Sequence, residues 1–172
     1  MQTILLFLSF IYAFSVYSQT DSIAYIESIE KYIYTYEQDS LELDLHYIET
    51  DGLISKKKFK LFQKTIGGFS EYTAWNEKNN QYFNFQYGSN YFNRRKYEDL
   101  YLSLYFRDNR LVKYIKEIEN KKYTYKTIVY FKDEELVSIE TNEPNFNIEE
   151  VRRHEKEAIE ILEMEIKSRN EY

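Results

Sequence analysis

Two periodicities alternate along the chain. In residues 21–38, DSIAYIESIEKYIYTYEQ, the apolar positions Ile23, Ile26, Ile29, Ile33 and Tyr36 recur three or four apart. That spacing puts them on one face of a helix, and Asp21 or Ser22 supplies a side-chain cap for its start. Period two follows. Leu41, Leu43, Leu45 and Tyr47 alternate with Glu42, Asp44, His46 and Ile48, which predicts a strand with its apolar side chains on one face. Thr50-Asp51-Gly52 reads as a turn. The segment 56–66, KKKFKLFQKTI, reads as a charged edge strand that Gly67-Gly68 ends.

Residues 70–76 and 81–87 flank Glu77-Lys78-Asn79-Asn80 as a hairpin, with Phe83, Phe85 and Tyr87 expected on one face. The clearest strand is 99–107. Leu100, Leu102, Leu104 and Phe106 point one way, and Tyr101, Ser103, Tyr105 and Arg107 the other. The stretch Tyr105 to Val112 is echoed 25 residues later as Tyr130 to Val137, each copy reading strand, polar turn at an aspartate, strand. Trp75 to Tyr82 is a fainter earlier copy. Such an echo means a meander of hairpins, none of which buries its apolar face alone.

Glu143-Pro144-Asn145 interrupts the strands. Asn147 followed by Glu150 has the spacing of a capping box, and Val151, Ala158, Ile159, Leu162 and Ile166 form a helical stripe over 148–168. The predicted fold is therefore α+β. It is an antiparallel β-meander of about six to eight strands, with an N-terminal helix and a C-terminal helix packed on it. The C-terminal helix is expected across the face made by Leu100, Leu102, Leu104 and Phe106.

Residues 4–17 change the picture at the front of the chain. ILLFLSFIYAFSVY carries no charge, yet it is shorter than the roughly 20 residues of a membrane-crossing helix. With Val16 and Ser18 at the small-residue positions it resembles a signal peptide ending at Ser18, although the residues before it include no lysine or arginine. The reading is a signal peptide over 1–18 and a single domain over 19–172. The product is then periplasmic or extracellular, with no permanent membrane span after cleavage.

Composition removes whole chemistries. The 172 residues include no cysteine, four glycines and one proline, against 19 tyrosines and 12 phenylalanines. Disulfides, thiolate metal sites and cysteine nucleophiles are excluded, and an exported domain without disulfides must hold together by packing. Two histidines, His46 and His154, lack the spacing of a metal pair, and each reads as a solvent-facing or cap-adjacent side chain. No serine sits in a nucleophile elbow. No metal, cofactor or catalytic residue is assigned. Among 29 acidic residues nothing singles out a glycosidase pair.

The aromatic excess is the better lead. Tyrosines on both faces of the hairpins make Trp75, Tyr101, Tyr105 and Tyr130 the candidate binding residues, because tyrosine offers a large rigid surface with a polar tip. Lys56, Lys57, Lys58, Lys60 and Lys64 form a basic cluster in a chain of formal net charge -6. They suit an edge strand guarded against aggregation or a patch for an anionic surface or acidic partner. The acidic total and the export reading argue against nucleic acid. The favoured function is noncovalent recognition of a peptide or partner protein through a Tyr-rich sheet face, a binder rather than a catalyst. The alternatives are a glycan-binding module or carboxylate-dependent glycan hydrolase, and an envelope structural protein.

Overall fold

A computed structural model describes residues 21–38, 44–58 and 62–170. Helix α1 occupies residues 21–38, and Ile29 and Ile33 of its apolar stripe are buried. It belongs to one compact unit, Met1–Asp39, and everything that follows belongs to a second, Ser40–Tyr172. The expected signal peptide over 1–18, and the strand positions Leu41 and Leu43, lie outside the described residues.

The second unit is a seven-stranded antiparallel sheet whose strands lie in chain order. They are β1 (Leu45–Lys58), β2 (Phe62–Asn76), β3 (Gln81–Tyr91), β4 (Asp99–Arg107), β5 (Arg110–Glu119), β6 (Thr124–Lys132) and β7 (Glu135–Thr141), followed by helix α2 (Ile148–Asn170). The α+β meander with a helix at each end is the architecture that the periodicities predict.

Helix α2 starts where Asn147 Oδ1 accepts a hydrogen bond from the Glu149 amide at 3.0 Å. Glu150 does not close the expected capping box; its carboxylate receives Lys116 Nζ at 2.9 Å instead. Val151, Ala158 and Leu162 are fully buried. They join Trp75, Phe85, Leu102, Leu104, Phe106, Leu111, Tyr114, Val129 and Phe131 in one core, with Leu100, Ile159 and Ile166 packed at its margin. Helix α2 thus covers the face of β4 that the sequence alternation selects. Each large apolar side chain so buried contributes about 1.5–3 kcal/mol.

The registers explain where period two fails. In β4–β5, Tyr105 pairs with Lys113 and Phe106 with Leu111, leaving Val112 as an extra residue. In β6–β7, Tyr130 pairs with Ser138 and Phe131 with Leu136, leaving Val137. In β2–β3, Ala74 pairs with Asn84 and Trp75 with Tyr82, leaving Phe83. The same β-bulge recurs in these three hairpins, so the echo is structural, but Trp75 to Tyr82 is not a copy in the expected alignment: Trp75 takes the place of Phe106 and Tyr82 that of Leu111, and the turn between them is two residues longer. A bulge reverses facing parity along its strand. Phe83 therefore does not share a face with Phe85 and Tyr87. It packs against Tyr105 on the opposite side of the sheet, ring centroids 6.2 Å apart.

The glycines also act otherwise than expected. Asp51 and Gly52 make no turn; they lie within β1, paired with Ser70 and Phe69. The Phe69 ring lies over Gly52 so closely that a Cβ there would sit 2.2 Å from Cε1. Likewise Gly67 and Gly68 do not end a strand but run through β2. A Cβ on Gly67 would meet the Asn90 carbonyl oxygen at 2.2 Å. Close approach, not reversal, demands glycine here. Residues 56–66 are accordingly not one strand: they contain the end of β1 and the start of β2. In β1 it is Ile48, not Tyr47, that packs on the core.

Reversals fall to non-glycine residues. Asp108 and Asn109 have φ of 54° and 58°, and Asp133 and Glu134 have φ of 50° and 70°. Two consecutive positive φ values are the mark of the two-residue turn that suits the twist of a hairpin. Glutamate has no local hydrogen bond to compensate that conformation. Glu134→Gly is expected to stabilise the protein by about 0.5–1 kcal/mol, read as a higher midpoint in chemical denaturation. An unchanged or lower midpoint would show that the turn carries no such strain.

Candidate functional site

The expected binding aromatics divide between the two sides of the sheet. Trp75 faces α2 and is 1% exposed, one of the largest side chains in the core. Tyr101, Tyr105 and Tyr130 lie on the other side. Tyr105 and Tyr130 retain 8% and 6% of their surface, while Tyr101 retains 38%. The two buried rings flank Lys113, cross-strand neighbour of both, with its Nζ 5.9 Å from the Tyr105 centroid and 5.5 Å from that of Tyr130. A cation between two ring faces is a favourable arrangement when desolvated.

Around Tyr101 the side of the sheet away from α2 is concave. A trough of about 270 Å³ crosses β1 to β4 and is lined by Glu49, Tyr72, Gln86, Gly88, Tyr101 and Ser103. Pairing accounts for the set. Glu49 lies opposite Tyr72, Tyr72 opposite Gln86, Gln86 opposite Ser103, and Gly88 opposite Tyr101. Gly88 adds no side chain, so the trough stays open between the rings; a Cβ there would stand 3.4 Å from the Tyr101 ring. Asn90 Nδ2 donates to the Tyr101 hydroxyl at 2.8 Å and orients it. Exposed Tyr47 extends the aromatic surface by stacking on Tyr72, centroids 6.1 Å apart. Tyr47 and Tyr72 join Tyr101 here because of which strands lie side by side.

The basic cluster is also placed. Lys56, Lys57 and Lys64 line a hollow at the far end of the β1–β2 hairpin. The Lys58 side chain and Lys60 lie outside the described residues.

A polar cluster lies between the sheet and the start of α2. Lys116 is buried and held by Glu143 at 2.7 Å and Glu150 at 2.9 Å. Thr127 Oγ1 donates to Glu143 at 3.1 Å. Next to it the Tyr114 hydroxyl and His154 Nδ1 are 2.9 Å apart. Every one of these groups has a partner, and the cluster ties the N-terminal turns of α2 to β5 and β6. His154 is buried, not solvent-facing as its polar neighbours in the sequence suggest. Burial pushes the Tyr114 hydroxyl far up, helped by Glu150 and Glu143, so it keeps its proton and can donate to a neutral ring. Burial also lowers His154, against the pull of Glu150.

No protein-family model, curated protein or solved structure matches this chain. Any functional reading therefore rests on its own geometry. Among the described residues no group of three or more His, Asp or Glu side chains is placed to hold a metal ion. No helix among them is long and apolar enough to cross a membrane.

The histidine has a measurable consequence. Its folded-state pKa lies below the ordinary value of 6.5, so between the two the unfolded chain binds the extra proton. The stability from a neutral His154 is full above that value and declines as pH falls below it. Thermal unfolding from pH 7 to pH 5 is expected to show a falling midpoint, and His154→Gln a flatter profile. Equal slopes in the two proteins would mean that other groups control the acid response.

Proposed function

We propose that this protein is a noncovalent binder, exported to the periplasm or the exterior, that takes an extended segment of a peptide or partner protein into the trough beside Tyr101. The observation that carries the reading is the pairing of an exposed, hydrogen-bonded tyrosine with an open glycine position on a sheet face. Rigid rings with polar tips give contact area at little entropic cost. Gln86, Ser103 and the Tyr101 hydroxyl offer hydrogen bonds to a peptide backbone, and Glu49, at one end, favours a segment carrying lysine or arginine.

Selection of displayed random peptides on the whole protein tests this, with the enriched peptides synthesised and titrated calorimetrically. Tyr101→Ala is expected to weaken them about ten-fold or more, the loss of a central aromatic anchor. Peptides that bind the variant as well as the parent would sink the proposal. A ring-lined trough with hydrogen-bonding groups is also a form that stacks on sugars. Glycan-array hits abolished by Tyr101→Ala, with no enriched peptides, would transfer the site to that class.

Export is supported by the uncharged run over 4–17 and the small residues before Gln19. N-terminal sequencing of the exported product is expected to begin at Gln19. Recovery of the protein outside the cytoplasm with Met1 intact would remove the cleavage step from this reading.

A further inference from the structure

The β1–β2 hairpin outruns its neighbour. Strand β3 ends at Tyr91, paired with Gly67, so residues 62–66 of β2 extend beyond it. The connection from β3 to β4 turns alongside them, its first amide, that of Phe92, donating to the Ile66 carbonyl at 3.0 Å. Between the two lies a hollow of about 410 Å³ whose walls include Lys56, Lys57, Lys64, Lys96, Phe92 and Tyr97.

Its electrostatics are one-sided. No carboxylate lines it, and among the described residues none of the four lysines is in an ion pair. Lys56 and Lys64 are direct cross-strand partners, an arrangement in which like charges repel. This occurs in a chain with 29 acidic residues against 23 lysines and arginines. The nearby Arg94, by contrast, is neutralised by Asp99 and by Glu119. Phe92 stands 77% exposed at the same hollow, the reverse of what a phenylalanine gains by burial. Lys96 has the Tyr97 ring face 5.9 Å away but no counter-ion among the described residues; charge without a counter-ion and an uncovered ring at one concave place are both relieved by the same kind of ligand.

We propose that this hollow binds an oxyanion, a phosphate or sulfate group, borne on an apolar body. Lys56 and Lys64, cross-strand partners on one face of the hairpin, hold the oxyanion, and Phe92 and Tyr97 meet the apolar part. An anionic lipid headgroup and a soluble phosphate ester share this chemistry, and two arms of one experiment separate them. Vesicles of phosphatidylglycerol in phosphatidylcholine are floated with the whole protein, pure phosphatidylcholine serving as control. Phenyl phosphate is titrated separately while the amide resonances of residues 56–57, 64–66 and 92–97 are followed.

Binding is expected in at least one arm, weakened by raised salt and about ten-fold or more by the double change Lys56→Gln and Lys64→Gln. That variant is expected to unfold at the same or a higher temperature, because it removes a like-charge pair, so lost binding will not reflect lost fold. Vesicle binding alone assigns a lipid source, and phenyl phosphate binding alone a soluble one. Binding in neither arm overturns the proposal. So does equal binding by the double variant, which would then be binding through something other than this hollow.

Discussion

The repeated β-bulge is the constraint on which this sheet depends. Each of three hairpins carries one extra residue at the same place, Phe83, Val112 or Val137. The extra residue lets the strand present an inward side chain on both sides of the irregularity. Tyr82 and Phe85 both reach the core, as do Leu111 and Tyr114, although three positions separate each pair. Trp75, Phe106 and Phe131 occupy equivalent positions on the strand before each turn and are all fully buried. A one-residue slip in any hairpin would turn these rings away from α2. With no cysteine in the chain, nothing but register and packing holds them in place.

The bulges also leave each side of the sheet with a distinct character. Toward α2 the surface is apolar and closed, save for the polar cluster around Lys116 and His154. Tyr105, Lys113 and Tyr130, on the other side, form a buried cation–aromatic ladder across three strands. Nearer β1 the same side opens into the trough at Tyr101. Aromatic abundance thus divides into rings that build the sheet and rings that remain available. Burial, not residue type, draws that line.

The glycines and turns show a related inversion. Reversals are made by Asp, Asn and Glu at positive φ, and no glycine adopts that region. Gly52 and Gly67 instead make room for a ring and a carbonyl. A glycine next to an aspartate looks alike in sequence whether it reverses the chain or admits a neighbour's ring. That is why Thr50-Asp51-Gly52 suggests a turn and β1 passes straight through it.

The sequence by itself determined the α+β class, the hairpins around 77–80, 108–109 and 133–134, and the face of β4 that α2 covers. Those features are local: periodicity, turn chemistry and a capping asparagine act within a few residues of one another. Only the tertiary structure decided that Trp75 is core, that Tyr47 and Tyr72 join Tyr101, and that Lys96 and Phe92 join Lys56 and Lys64 around one hollow. Each of these depends on cross-strand register or on the unequal lengths of β2 and β3. Such relations join residues tens of positions apart and are set by packing, which no local pattern encodes.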